Sequence, residues 1–487
     1  MKDYIDSIQQ LSHKQLVVML ARQRLAATQP IAVAGMAMRF PGGIASPAAL
    51  WEALRERRAV FADEPRTPLD STGRPRWNLD APDVAPYAEL VTKGAYVADV
   101  DLFDADRYGI SEEEALFLDP QQRLLVTCTA EALADAGLDD ISGLRTGVFA
   151  AISDVEYNYA AIRNGVGIDG LSVHMGPGSA ASAASGRLAT CFRLTGPALT
   201  VDTACSSALT ALHLACASLR SGECDVAIVG ASHLALAPST FAVVARSGML
   251  SPTGRARPFD AAADGYVRAE GCGVLVLRRQ PDTANAYAAI RGTAVYQHGD
   301  RDSIAALSAI GLSRVIQEAL RTADIAPHDV GYVEAQANGV RLAAVIEAEV
   351  LADAYGRKGS GGPPLPVGSA KANLGYLETV SGMASLMKSV LAVQHAEVPP
   401  QAAFDVPDPR IAWDALSLVV PRAPTAWPGG HPGSGRPKRI AGVSSFGFTG
   451  TYCHALVESV ADSVPRQPRP AAPRAARGYW PESHRWS

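Results

Sequence analysis

The chain has 487 residues, 48% hydrophobic and 19% charged, with 44 Lys and Arg against 49 Asp and Glu for a formal net charge of −5. That length suits two or three ordinary domains or one large duplicated one, and the near-balanced charge argues against nucleic acid or an anionic membrane as the main partner. No apolar run reaches the ~18–20 residues of a membrane span, the N-terminus lacks a signal-peptide core, and the seven cysteines show no CxxC spacing, so a reduced, cytoplasmic protein without metal or bound cofactor is expected.

Residues 1–29 read as a helical leader. Ile5, Ile8 and Leu11, then Leu16, Val17, Met19, Leu20 and Leu25 recur at helical spacing, Ser12 stands as an N-cap, and Pro30 closes the segment. Such a leader packs on the body or docks an upstream protein. The body, residues 30–458, opens with an apolar strand from Pro30 that breaks at Phe40-Pro41-Gly42-Gly43. Helices follow over Pro47–Arg55 and from Asp119 toward Gly137, and Thr146–Ile152 is a strand of the fully buried type.

Pro197–Val201 is a further strand, and it leads into Asp202-Thr203-Ala204-Cys205-Ser206-Ser207. From Ser207 onward Leu209, Leu212, His213 and Cys216 keep helical spacing, which puts Cys205 where a strand turns into a helix. Unpaired N–H groups at a helix start favour a thiolate over a thiol, so a nucleophilic cysteine is expected; the alternative is a buried structural thiol. Val226–Ala231 and Val274–Leu277 are two more buried-type strands. A second set of elements then repeats the same alternation. It runs through strand Ala286–Thr293, helix Leu307–Thr322, strand Val330–Ala335, helices Leu342–Tyr355 and Val380–Val393, and strands at Val443–Phe446 and Ala455–Val457. Two successive sets of alternating strands and helices predict an α/β fold, with duplication as an open possibility. Residues 459–487, with Pro465, Pro468, Pro470, Pro473, Pro481 and scattered Arg, read as an extended tail whose Tyr479, Trp480 and Trp486 pin its end to the body.

Several windows together resemble the ketosynthase of modular polyketide synthases: Ile31–Gly43, Asp119–Arg123, Val201–Ser207, Leu219–Asp225, Ser247–Pro252, Phe259–Asp260 with Ala263–Arg268, and Gly442–Phe448 with Gly450-Thr451. The resemblance implies a thiolase-like αβαβα sandwich of two related halves and a homodimer. It also implies an acyl chain brought on the phosphopantetheine of an acyl or peptidyl carrier protein and held on Cys205. The oxyanion hole falls by resemblance to the backbone N–H groups of Cys205 and Phe448. Asn338, Asn373 and Phe446 are assigned to substrate or pantetheine.

The chain departs from the family pattern where chemistry is concentrated. The Glu-Ala-His-Gly-Thr-Gly-Thr motif reads Glu334-Ala335-Gln336-Ala337-Asn338-Gly339-Val340, so Gln336 replaces the first catalytic histidine. Lys-x-Asn-x-Gly-His reads Lys371-Ala372-Asn373-Leu374-Gly375-Tyr376, so Tyr376 replaces the second. Glutamine donates a hydrogen bond but shuttles no proton, and a tyrosine of ordinary pKa is a poor base without help. Lys371 and Glu378 are the helpers the motif supplies. Decarboxylative condensation is therefore expected to be lost, while acyl transfer onto Cys205 is retained.

Three functions follow from this pattern. The first is a non-elongating cyclase resembling the stand-alone ketosynthase-like bicyclases of the salinosporamide type. It would take an acyl chain on Cys205, promote an internal aldol closure and release a lactone. The second is a gatekeeper passing acyl chains between carriers, and the third a non-catalytic partner of an active ketosynthase, which the retained Cys205 argues against. His213 and His454 read as packed side chains, and His298, at the start of the divergent loop that continues through Gly299–Ile304, is a candidate replacement base.

Overall fold

The structure is a computed structural model and describes residues 8–61, 67–82, 84–153, 155–280, 285–301, 303–358, 362–428, 438–460 and 475–485. Ile5, the prolines at 465–473 and Trp486 lie outside the described residues. Among the described residues, no helix is long and apolar enough to cross a membrane.

An 11-stranded mixed sheet organises the body. Its first half contains β1 (Ile31–Arg39), β2 (Thr146–Ile152), β3 (Ala198–Val201), β4 (Val226–His233) and β5 (Gly271–Arg279), in the spatial order β3-β2-β4-β5-β1. The second half contains β6 (Ala289–Gln297), β7 (Tyr332–Glu334), β8 (Leu365–Gly368), β9 (Ile440–Phe446) and β10 (Thr451–Glu458), in the order β8-β7-β9-β10-β6. Counted along the chain, both orders are third-second-fourth-fifth-first. The pairings agree too. β2 is parallel to β3 and β4, as β7 is to β8 and β9, and the remaining neighbours are antiparallel in both halves. The duplication left open by the sequence is thus visible in the topology. β1 and β6 join the halves through Ile31↔Ile290 and Ala32↔Ala289.

The helices complete five layers. The leader supplies α1 (His13–Ala27). α2 (Pro120–Asp135) and α3 (Ala181–Phe192) cover one outer face, α5 (Ala309–Ala323) and α6 (Arg341–Ala354) the other. α4 (Ser207–Ser221) and α7 (Ser381–His395) lie between the half-sheets and touch each other. Position dictates composition. In α5 the buried residues Leu312, Val315, Ile316, Ala319, Leu320 and Ala323 form one stripe at i, i+3, i+4 spacing, as a helix with one wet face requires. α7 is buried from Ser381 to Gln394 and is built mostly from small and apolar residues, with the buried Lys388 paired to Glu334 at 2.8 Å.

Most of the predicted elements are present with ends shifted by a few residues. Among the elements not anticipated are α3, because Ala, Ser and a central Gly186 carry no apolar period, β8, because it is four residues long and contains Pro366, and the short helices Glu112–Phe117, Tyr157–Arg163 and Pro238–Arg246. In the leader, Ser12 caps α1 through the Gln15 N–H at 3.3 Å while the Gln15 side chain accepts from the Ser12 N–H at 2.8 Å, a capping box. Val17, Val18, Leu20 and Leu25 of α1 are each at least 43% exposed, so its apolar residues are not absorbed by the body. The tail returns to the body: Arg477–Gly478 pairs with Leu102–Phe103, Tyr479 is buried and Trp480 packs on the core beside α2.

Candidate active site

The turn between β3 and α4 is built from side-chain oxygens. Asp202 Oδ1 accepts the Ala204 N–H at 2.9 Å, Ser207 Oγ accepts the Thr203 N–H at 2.8 Å, and Ser206 Oγ donates to the Thr203 carbonyl at 2.8 Å. These contacts hold Ala204 at φ +56°, a left-handed conformation that non-glycine residues adopt only under such constraint. The sharp reversal delivers Cys205 at the start of α4. From the second half, Ser445 Oγ at the end of β9 donates to the Cys205 carbonyl at 2.8 Å. A Cβ on Gly447 would lie 2.2 Å from the Thr203 carbonyl, so only glycine lets the Phe446–Gly450 turn close against the cysteine turn.

Three segments far apart in sequence meet at the sulfur. Tyr376 follows a short helix that begins at Lys371, and its backbone is fixed by two hydrogen bonds: its N–H to the Val267 carbonyl at 2.7 Å, and the Ala269 N–H to its carbonyl at 2.9 Å. Its ring meets Tyr266 edge-on at 4.9 Å, and its hydroxyl lies beside the Cys205 sulfur, where it favours the thiolate. Gln336, just past β7, donates from Nε2 to that same hydroxyl at 2.9 Å. The backbone of Gln336 is held by Glu347 of α6, whose two oxygens accept the N–H groups of Gln336 and Ala337 at 2.7 and 2.9 Å. The two replacements of family histidines are therefore hydrogen-bonded to each other beside the retained nucleophile.

The electrostatics correct one expectation. Cys205 is only partly exposed and packs into an apolar cluster with Tyr266, Tyr376, Phe241 and Val340. That burial pushes its thiol up to about 12, against the pull of the Tyr376 hydrogen bond and the Lys371 charge. The resting group is a thiol; desolvation outweighs the helix terminus that pointed to a thiolate. Burial keeps the Tyr376 hydroxyl well above its usual range, so it acts as a hydrogen-bond donor and not as a base. Lys371 is buried, with Nζ 3.3 Å from both the Ala335 carbonyl and Ser385 Oγ. Burial brings its ammonium down to about 8, although Glu334 and Glu347 oppose the shift. Lys371 therefore changes charge near neutrality.

Other assigned residues have different occupations. Glu378 is bidentate to Arg268, at 2.7 and 3.2 Å, and 3.2 Å from His233 Nε2. Burial would raise its pKa, but Arg268 and His233 outweigh it and leave the carboxylate below its normal value, a weak base. Asn373 is fully buried, and its amide donates to the carbonyls of Ala53 and Arg58, an anchor for the loop after Pro47–Arg55. Asn338 closes a local turn by accepting the Val340 N–H at 3.1 Å. Phe446 is buried against Tyr452, with ring centroids 5.4 Å apart, whereas Phe448 is 58% exposed. His213 packs with Nδ1 2.9 Å from Thr293 Oγ1. His454 is bracketed by Tyr355 at 2.7 Å and Ser444 at 2.9 Å, and burial brings it down to about 3, a neutral structural side chain. His298 stacks on Tyr296 and donates its backbone N–H to the Gly450 carbonyl at 3.3 Å.

Sequence reasoning passed over two residues with clear positioning roles. Glu347 was legible in principle, as a lone acid on the apolar stripe Ala344, Ala348, Leu351 of α6. Arg301 was not. Its guanidinium donates to the carbonyls of Thr449 at 2.7 Å, Ala306 at 3.1 Å and Phe448 at 3.4 Å, pinning the loop that carries the expected oxyanion N–H. Gly450 leaves room for it, since a Cβ there would fall 2.4 Å from the guanidinium carbon.

Comparison with known proteins agrees with this architecture. Residues 28–283 match the beta-ketoacyl synthase N-terminal domain, 287–405 its C-terminal domain, and 407–477 the ketoacyl-synthetase C-terminal extension. The chain is 42% identical over 447 residues to a phenolphthiocerol/phthiocerol polyketide synthase of Mycobacterium tuberculosis, a match that covers 90% of this chain and 24% of that protein. It is 41% identical over 450 residues to erythronolide synthase EryA3 of Saccharopolyspora erythraea, covering 91% of this chain and 14% of that protein. The chain thus spans a quarter or less of the length of these relatives. Among solved structures, the oxazolomycin ketosynthase domain OzmH KS7 of Streptomyces albus JA3453 superposes with a TM-score of 0.78 at 30% identity, covering 91% of this chain and 76% of that one. The ketosynthase from module 6 of the bacillaene synthase of Bacillus subtilis 168 superposes at 0.76 with 29% identity, covering 89% and 72%. With the duplicated half-sheets and Cys205 at the strand-to-helix turn, these matches establish that the chain belongs to the beta-ketoacyl synthase family, among the ketosynthases of polyketide synthases.

Proposed function

We propose that the protein is a ketosynthase that does not elongate: it takes a carrier-bound acyl chain on Cys205 and promotes ring closure within that chain, with lactonising release. The observation that carries the reading is the Gln336–Tyr376 hydrogen bond beside Cys205, made by the residues that replace two histidines and containing no group that titrates near neutrality. In the first step Cys205 exchanges with the pantetheine thioester. The new S–C bond forms, the pantetheine sulfur leaves, and the thiol proton passes to it. Acylation removes the thiol as a partner for Tyr376, which frees the phenol to donate to an oxygen of the bound chain. Lys371, neutral in part at mildly alkaline pH, is the group best suited to accept a proton from carbon beside a carbonyl. Attack of the resulting enolate on an internal ketone leaves an alkoxide. That alkoxide attacks the thioester carbonyl and expels the Cys205 thiolate, which regains a proton as the lactone departs.

A gatekeeper that hands intact acyl chains to a second carrier is the second reading, favoured by relatives that are much longer polyketide synthases, of which the match covers 24% and 14%. Partners follow from either reading: an acyl or peptidyl carrier protein, and an upstream synthase through residues 1–29, whose α1 keeps apolar side chains exposed. A homodimer is supported by β3, the outermost strand of its half-sheet, whose Ala198 and Leu199 are exposed.

The test is product analysis with an acyl carrier thioester bearing a distal ketone. A free cyclic product, absent with Cys205→Ala, supports the cyclase. Intact acyl on a second carrier supports the gatekeeper. Carbon dioxide release and chain extension with malonyl thioester would refute both.

A further inference from the structure

We propose that Gln336 Oε1 is a substrate-reading acceptor, which selects acyl chains that carry a hydrogen-bond donor, an amide N–H or a hydroxyl, close to the thioester. The inference rests on the acyl-transfer reading of Cys205. Gln336 is 8% exposed, and its two amide atoms are treated differently. Nε2 donates to the Tyr376 hydroxyl, whereas Oε1 is buried and has no hydrogen-bond partner among the described residues.

The orientation of the amide follows from its neighbours. The NH₂ side of Gln336 faces the Tyr376 oxygen, which accepts from it and leaves the phenol proton free to turn toward the Cys205 sulfur. Turning the amide over would draw the phenol proton to Oε1 and leave the sulfur without its donor. The backbone cannot shift to satisfy Oε1, because Glu347 holds the N–H groups on both sides of the Gln336 α-carbon.

An acceptor buried without a partner costs about 1–3 kcal/mol, and such groups in native proteins call for an explanation. This one belongs to the residue hydrogen-bonded to Tyr376 beside the nucleophile. A ligand donor placed there would remove the penalty. A chain with an ester oxygen or methylene at the same place would leave the acceptor unpaired. Sites built on a hydrogen bond discriminate strongly against analogues that lack it, which makes Gln336 a specificity determinant rather than a proton carrier.

The test measures a ratio of loading rates. S-pantetheinyl thioesters of N-acetylglycine and N-acetyl-β-alanine are offered beside their oxygen-for-NH counterparts, acetoxyacetyl and 3-acetoxypropionyl, and Cys205 acylation is followed by intact-protein mass spectrometry. The expected result is at least about tenfold faster loading of one N–H thioester over its ester twin. Gln336→Leu should bring that ratio to near one. Gln336→Glu, which keeps an acceptor oxygen, should retain it, and Tyr376→Phe should slow all probes while keeping the preference. Equal loading of the twins by the wild type, or a preference that survives Gln336→Leu, overturns the assignment while leaving acyl transfer standing. Failure of every thioester to load overturns the acyl-transfer reading and this inference with it.

Discussion

If burial holds the Cys205 thiol at about 12, the cysteine should be slow toward small electrophiles even though it is the nucleophile. Against an ordinary thiol near 9, three pKa units remove about a thousandfold of the thiolate at pH 8. The remaining thiolate is more basic and hence more nucleophilic, by about 20-fold over that span at a Brønsted slope of 0.4–0.5. The net expectation is thiol–disulfide exchange about 50-fold slower than for an exposed peptide cysteine. The rate should rise tenfold per pH unit through pH 10 without a plateau. The assay is the rate of mixed-disulfide formation with an aromatic disulfide, read by intact mass, with Cys205→Ala as background because Cys191 is also partly exposed. Tyr376→Phe removes the donor that opposes the shift and should slow exchange about threefold further. A plateau near pH 7, or exchange as fast as the free peptide, would refute the claim that desolvation dominates the site.

Three further outcomes are expected. Arg301→Ala releases the Phe448 and Thr449 carbonyls and should slow Cys205 acylation about tenfold while Tm stays within about 2 °C; a large fall in Tm would make the residue merely structural. His454→Asn should cost about 1–3 kcal/mol at pH 7 by urea unfolding. The native imidazole, held down at about 3, stays neutral while the unfolded one gains a proton below about 6.5, so wild-type stability falls as pH drops from 6.5 toward 3. The gap between the two proteins should therefore narrow over that window, and a constant gap counts against a neutral His454. Arg76→Met strands Glu270, paired with Arg76 at 2.9 Å with both side chains at most 1% exposed, and should destabilise by about 3–5 kcal/mol. Adding Glu270→Leu should recover part of the loss in the same unfolding assay.

The family and the order of elements were legible because they rest on local signals. Apolar runs bounded by Gly and Pro marked the strands around β2, β4 and β5, and i, i+3, i+4 spacing marked α5. Two of the elements that escaped notice carry weak local signal: α3 is made of small residues, and β8 is short and interrupted by proline. The site was legible as a set of names and illegible as an arrangement. Cys205, Gln336, Tyr376, Asn373 and Glu378 could be singled out from motif windows, but the windows did not show that Glu378 pairs with Arg268 or that Asn373 anchors the Ala53 and Arg58 carbonyls.

That difference has a physical cause. A strand-to-helix turn, a cap or an amphipathic stripe is set by neighbours a few residues apart, so the position of Cys205 and the loss of both histidines could be read directly from the chain. Charge state and partnership depend on groups brought together from hundreds of residues away. The Arg268 that binds Glu378 lies 110 positions before it, and Ser445, which steadies the Cys205 carbonyl, lies 240 positions after that residue. Desolvation of the thiol exists only once both halves of the duplicated sheet have closed around it. Folding decided that Cys205 rests as a thiol, that Tyr376 lies beside it, and that Gln336 keeps one oxygen for a group the chain does not supply.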